Sequence, residues 1–425
     1  MSSKFLDDML VAKELDIRYT ICDLTAMFKN IKVLDSATSS STVQVLATLS
    51  NKAKTHEFIK SYIDDTGDDK VFIKVGFDER GDNSADIERI MYKYLKKLLF
   101  DHRTPNVMRY VAGFKCNRFM DFLKTKQGKK PKWYHTRMLQ KVDELVTREA
   151  DLGLDGNRAT ITIIEMGQGK SFDKILESGL LTEEQFKEIM FQTFYTLREF
   201  HLNKVRHNDV HLGNIWINIS PTPQRLIYFV NDEMYAVLET THIVKLYDFD
   251  RSAFTMGSFS NEILRDNLCP AYGMCENENE RFDLLIVLSL LFQNWSSKYP
   301  FIHKFILEAV KNPSYLDGDC CLFPGRYCDL KLDPTTSKIT CSANANIETN
   351  GIYNISQLCE QTDYFDPYLR FLDTDGFDPK DVPIKHFAAE KDIPLYVFET
   401  NVYVSSECTL TPIQLANKLL KMTKT

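Results

Sequence analysis

Short apolar runs separated by polar gaps dominate the first half of the chain. VQVLATL (43–49), VFIKV (71–75), NVMRYVAGF (106–114) and ATITIIEM (159–166) are rich in β-branched residues and read as strands. Between the second and third lies a stretch of helical period, Ala85 to Leu99, on which positions 88, 91, 92, 95 and 99 share one face. Several strands around one helix predict a small sheet-based lobe. After Gly167 the period lengthens. Thr182 and Gln185 have capping-box spacing ahead of Phe186, Ile189, Met190, Phe194, Leu197 and Phe200, predicting a helix that ends near Asn203. The polar loop and strand RHNDVHLGNIWIN follow, then a hairpin of RLIYFV and MYAVLE around Asn231 and Asp232, then the strand HIVKLYDFD. From Phe282, FDLLIVLSLLF is apolar nearly all round and predicts a buried helix.

Composition narrows the picture only slightly. The 425 residues, 44% hydrophobic and 26% charged, suit one large two-lobed unit or two domains. A net charge of -7 gives no global attraction to nucleic acid or to an anionic membrane, so nucleic-acid binding is not expected. One local exception is KTKQGKKPK, with five lysines between Lys124 and Lys132. It reads as a solvated loop or helix end, or as a docking patch for an acidic partner: an acidic substrate, nucleic acid or lipid. The acidic N-terminal stretch does not fit a signal peptide, and the longest apolar run, Leu284 to Phe292, is too short to span a bilayer. A soluble, cytoplasmic protein is expected. Ten cysteines without a CxxC pair are expected to be reduced, free thiols.

Four segments carry chemistry. In HNDVHLGN, Asp209 and Asn214 can place a carboxylate and an amide around one phosphate and metal, although a hydrogen-bonded turn is the plain alternative. YDFD ends an apolar strand with carboxylates, and Asp248 is a hard oxygen ligand suited to Mg²⁺. Lys74 sits inside the apolar strand VFIKV, where its ammonium needs a partner or must snorkel to a sheet edge. Glu88, in line with Met91, Tyr92, Leu95 and Leu99, is the carboxylate that would pair with it.

The order strand lysine, helix glutamate, loop aspartate and asparagine, strand-end aspartate resembles the protein kinase family from about Val33 to Phe292. The resemblance implies an α+β, bilobal fold with a small β-rich lobe and a larger, mainly helical one. It divides the chain into an N-terminal extension (1–29), a small lobe (30–164, with a basic insertion near 117–158) and a large lobe (165–425). By the same resemblance Lys74 matches the phosphate-pairing lysine, Glu88 its helix partner and Asp209 the catalytic aspartate. Asn214 and Asp248 match the magnesium ligands, so the implied cofactors are ATP and Mg²⁺ and the implied partner is a protein substrate. Ile164 falls at the gatekeeper place, Glu165 and Met166 at the adenine hinge, and Asp283 at the aspartate that anchors the catalytic loop, though Asp283 equally suits a helix N-cap.

Departures from the family are as informative. Ser36, Thr38, Ser41 and Val43 stand at the spacing of the glycine-rich phosphate loop, with every glycine replaced. Asn208 replaces the arginine before Asp209, and His211 stands two residues after it, as in the haspin branch, where it would contact the transferring phosphate. Asp250 replaces a glycine after Phe249. The segment between Asn214 and Asp248 is similar to divergent serine/threonine kinases of large DNA viruses, which would place the protein in host cytoplasm or virion. Two other readings stay open: a pseudokinase scaffold, and a small-molecule kinase of the aminoglycoside or choline type.

Overall fold

The computed structural model describes residues 22–35, 42–54, 68–77, 83–128, 132–149, 153–255, 260–262, 264–268, 282–309, 330–332, 339–341, 352–372, 384–387, 395–398 and 401–422. Five antiparallel strands open it: β1 (Phe28–Val33), β2 (Thr42–Leu49), β3 (Lys70–Phe77), β4 (Tyr110–Cys116) and β5 (Ala159–Glu165), in the spatial order β1-β2-β3-β5-β4. Along β2 the residues Val43, Val45, Ala47 and Leu49 are buried while those between are half-buried, the period-2 pattern that pins strand register. That register sets Lys74 of β3 opposite Gln44 and Thr162.

Helix α1 (Ser84–Phe100) forms at the expected place, with Glu88, Met91, Tyr92 and Leu95 buried along one stripe. The basic insertion is not simply a loop. It folds into α2 (Phe119–Gln127) and α3 (Trp133–Arg148), whose Phe119, Leu123, Met138, Leu139 and Val142 join the sheet's own core cluster. Lys124 and Lys126 lie in the last turn of α2, where cations complement the helix dipole, and Lys126 also pairs with Asp23 at 3.3 Å. Leu24, Met27 and Phe28, assigned from sequence to an N-terminal extension, are buried in this same cluster. The expectation of reduced thiols also needs correction: Cys22 and Cys116 form a disulfide, with Cα atoms 5.2 Å apart. Their separation of 94 residues is closed only by the folded sheet, so spacing in the chain could not pair them.

The strand predicted over 106–114 begins only at Tyr110, because the residues before it serve a different partner. Met108 N–H donates to the Leu246 carbonyl (3.0 Å) and Leu246 N–H to the Asn106 carbonyl (2.9 Å), stitching the small lobe to the large one. The buried Asn106 amide donates to Gln192 Oε1 and to the Val244 carbonyl, both at 2.9 Å, and accepts from Tyr228 Oη at 3.1 Å. A fully bonded amide in a closed core fixes this junction in one geometry.

In the large lobe, α4 (Phe172–Ser178) precedes α5 (Glu183–Leu202), which starts with the predicted Thr182–Gln185 capping box and ends at Asn203. Its aromatic residues pack against α6 (Phe282–Trp295) and α7 (Pro300–Ala309). The expected strand, separate hairpin and further strand are instead two long strands. The first runs Ile215–Phe229 and the second Met234–Leu246, with the register broken between Ile219 and Gln224. Pro221 and Pro223 lie in that break, and their missing N–H groups interrupt the ladder there. The strands Leu369–Phe371 and Val402–Val404 flank the hairpin, so the large lobe carries a sheet beside its helices. Together the five-stranded sheet with its main helix and the larger, mainly helical part form a bilobal α+β fold.

The end of the chain is held by Glu199 of α5. Its buried carboxylate accepts from Ser405 Oγ (2.5 Å), Ser406 N (2.9 Å) and Ser406 Oγ (2.8 Å). Burial raises its pKa to about 6, with the serine hydrogen bonds opposing. A carboxyl raised in the fold contributes stability that is full below its unfolded pKa of 4.5 and lost as pH rises through the folded value. Across that window the wild type should lose roughly 2 kcal/mol relative to Glu199→Gln, measured by denaturant unfolding at pH 4 and pH 7; parallel pH profiles would refute this.

Candidate functional site

The cleft between the lobes gathers residues from β3, α1, the loop after α5 and the end of the long hairpin. Lys74 Nζ lies 2.7 Å from Glu88 Oε1 and 2.6 Å from Asp248 Oδ1, so one ammonium joins a carboxylate from α1 to another that lies 174 residues beyond the lysine in the chain. The Lys74 and Glu88 side chains are only 5% and 3% exposed, too little to be solvated by water. Burial works against the charge on Lys74, yet Asp248 and Glu88 hold its pKa well above the usual lysine value. Burial pushes Glu88 up to about 7 against the pull of Lys74, and Asp248 adds to the rise. At Asp248 the attraction of Lys74 outweighs burial and holds the carboxyl below the ordinary range. The structure therefore brings together the cation and both carboxylates named from sequence, and gives Lys74 a second partner.

Backbone strain marks the same place. Asp248 has φ +68° and Asn208 +63°, left-handed values that Asp and Asn tolerate better than most residues. The Asp248 N–H donates to the hydroxyl of Tyr92 (3.0 Å), one turn beyond Glu88 on α1. Phe249 is buried edge-on against Tyr92, ring centroids 4.9 Å apart, and also packs on His207. The strained turn is thus clamped from α1 and from the loop. Asp250 is pushed well above the usual carboxylate value by burial and by neighbouring Asp248.

The loop 207–214 is anchored from α6. Asp283 accepts from His207 N (2.9 Å) and Asn208 N (2.7 Å), which decides between the two sequence readings in favour of the loop anchor. His207 Nε2 lies 3.0 Å from the Tyr247 carbonyl, and Ser252 Oγ donates to the His207 carbonyl at 3.2 Å. Asp209 is buried at 6% exposure, and Asn214 Nδ2 donates to its carbonyl at 2.9 Å. His211 Nδ1 accepts from Gly213 N (3.1 Å) and caps the short turn Leu212–Asn214. Its ring is committed in part to the loop itself. Sequence reasoning missed Arg251, whose Nη1 lies 3.5 Å from Asp209 Oδ2, and Tyr92; the four-residue step from Glu88 was the one signal available for the latter.

Val43 is buried on β2, while Ser36, Thr38 and Ser41 lie outside the described residues. Ile164 is 2% exposed at the end of β5. The Glu165 side chain turns out of the cleft, accepting from Arg109 N (3.0 Å) and pairing with Lys245 (3.0 Å). Trp216 packs against the hinge at Gly167, where an added Cβ would meet Nε1 at 2.3 Å; only glycine admits so close an approach. Behind the hinge is a cavity of about 490 Å³, bordered by Arg109, Lys245, Tyr403 and both hinge residues, Glu165 and Met166, but by none of Lys74, Glu88, Asp209, His211, Asn214 and Asp248.

Asp248 and Asn214 offer hard oxygen donors of the kind Mg²⁺ takes, one or two from protein and the rest from phosphate and water. Among the described residues no group of three or more His, Cys, Asp or Glu side chains is arranged to hold a metal. Nor is any described helix long and apolar enough to cross a membrane.

No protein-family description and no curated protein matches this chain. Among solved structures, it is similar to the crystal structure of the PF14_0431 kinase domain, with 14% sequence identity over 65% of this chain and 68% of that chain and a TM-score of 0.34.

Proposed function

We propose that this protein is an ATP-dependent protein kinase that transfers the γ-phosphoryl group to serine or threonine hydroxyls. The observation that carries the reading is the buried Lys74, bridging Glu88 and Asp248 at 2.7 and 2.6 Å, with the residue before Asp248, Tyr247, donating its N–H to the carbonyl of Asn214 at 3.3 Å. Phosphoryl transfer depends on positioning and on stabilising charge spread over phosphate oxygens, and a fixed ammonium in a water-poor cleft supplies both. Lys74, braced by Glu88, would hold ATP phosphates. Asp209 would orient the acceptor hydroxyl and receive its proton, and Asn214 with Asp248 would hold Mg²⁺, which neutralises phosphate charge when bound. His211 would reach the transferring phosphate through Nε2, because Nδ1 serves the loop. At the hinge, Glu165 N–H already donates to the Arg109 carbonyl (2.9 Å), so an adenine contact from this residue would fall to its carbonyl. The preference for serine and threonine rests on the haspin-like loop, and an acidic partner at Lys124–Lys132 rests on charge.

The test is γ-phosphate transfer from Mg²⁺·ATP to the protein itself and to basic and acidic protein substrates. Transfer by the wild type should fall by at least about a hundredfold in Asp209→Ala and in Asp248→Ala. Nucleotide binding that depends on Lys74, without transfer to any protein, would instead favour a scaffold or a small-molecule kinase.

A further inference from the structure

The loop 207–214 reads HNDVHLGN and contains neither lysine nor arginine, so any permanent cation beside its buried Asp209 comes from outside it. Arg251, three residues after Asp248, supplies one. Its Nη1 lies 3.5 Å from Asp209 Oδ2, with the arginine side chain 33% exposed and the aspartate 8%. The arginine backbone is fixed before its side chain reaches across: Asn208 Nδ2 donates to the Arg251 carbonyl (3.1 Å), and Ser252 N donates to the Phe249 carbonyl (3.1 Å). Ser252 Oγ then returns to the His207 carbonyl at 3.2 Å, so residues 249–252 and 207–209 are laced together from both sides. Asn208 itself is held by Asp283 through its N–H at 2.7 Å. Of the loop's two histidines, His211 spends Nδ1 as an acceptor from Gly213 N, an arrangement that requires that nitrogen to be unprotonated.

We propose that Arg251 is the positioning residue of Asp209: its guanidinium holds Oδ2 and fixes the carboxylate so that Oδ1 faces the acceptor hydroxyl. This rests on the kinase reading above and adds a residue to it. A carboxylate beside a guanidinium is confined in rotation, which matters most where one oxygen must stay aligned with a reacting group. Arg251 would act through Asp209, so its removal should slow turnover without weakening nucleotide binding.

The experiment compares phosphate transfer by the full chain in the wild type, Arg251→Ala, Arg251→Lys, Asp209→Asn and the double variant Arg251→Ala/Asp209→Asn. Arg251→Ala should lower kcat by about 10- to 100-fold with KM for ATP unchanged, and Arg251→Lys should recover part of the loss. In the Asp209→Asn background, removing Arg251 should have no further effect, because a residue that acts through another is silent once that other is gone. An Arg251→Ala enzyme as active as the wild type while Asp209→Asn is inactive would overturn the proposal and leave the kinase reading standing. So would losses that multiply in the double variant, or a loss confined to KM for ATP. Absence of transfer in the wild type, or full activity in Asp209→Asn, would remove the underlying reading and the role of Arg251 with it. Melting curves accompany each variant, and if Arg251→Ala unfolds, Arg251→Lys and Arg251→Gln carry the same comparison.

Discussion

Replacing Lys74 with methionine should reduce phosphate transfer by about 10²- to 10³-fold, the range for removing a preorganised charge that stabilises a transition state. The same change leaves Glu88 and Asp248 without the ammonium that now lies within 2.7 Å of each. Breaking a buried ion pair from one side typically costs about 3–5 kcal/mol, because the remaining charge is stranded. Here the cost should depend on pH. Burial raises Glu88 to about 7 even against the pull of Lys74, so without the lysine it rises further and can take up a proton, shedding more of the penalty the lower the pH. Denaturant unfolding should therefore show a larger deficit for Lys74→Met at pH 8 than at pH 6. Lys74→Met/Glu88→Gln should recover stability at pH 8 while transfer stays lost, which separates the structural from the chemical role of the lysine. Wild-type transfer in Lys74→Met would refute the assignment.

Asp283→Ala is expected to have the second large effect, although the residue touches no group that reacts. Its two oxygens receive the N–H groups of His207 and Asn208, and nearby Arg206 is fully buried with its pKa lowered to about 10 by burial, which the charge of Asp283 opposes. Alanine would orphan both amides and take away the negative charge facing the guanidinium, a loss of about 3–5 kcal/mol by the measure of other buried charges. Asp283→Asn should be intermediate, since an amide retains one acceptor oxygen but turns an NH₂ group toward one of the donors. Transfer should fall more than stability in Asp283→Asn, because the left-handed turn at Asn208, φ +63°, is held in place by that hydrogen bond. Equal melting temperatures and equal transfer in Asp283→Ala and the wild type would show that the anchor is not needed.

Loop 207–214 and the turn after Asp248 thus behave as one unit, fastened from α6 by Asp283, from α1 by Tyr92 and across by Asn208 and Ser252. No single bond in it is strong. The unit holds because strained residues at 208 and 248 are each constrained from more than one side, the condition under which such backbone geometry persists.

Local pattern in the chain determined a good deal of this protein. Alternation along VQVLATL and the stripe through Glu88, Met91, Tyr92 and Leu95 are properties of neighbouring residues, so β2 and α1 were legible within a residue or two. Thr182 and Gln185 announced the start of α5 for the same reason. A lysine in an apolar strand and a glutamate in an apolar stripe each demanded a partner, and their pairing followed from the cost of burying either alone. What the chain could not show is where distant segments close on one another. The second partner of Lys74, the disulfide between Cys22 and Cys116, the continuity of the long hairpin through Pro221 and Pro223, and the contact of Arg251 with Asp209 all depend on that closure. Only tertiary packing decides these, because periodicity reports which face a side chain occupies and carries no information about what the fold brings to meet it.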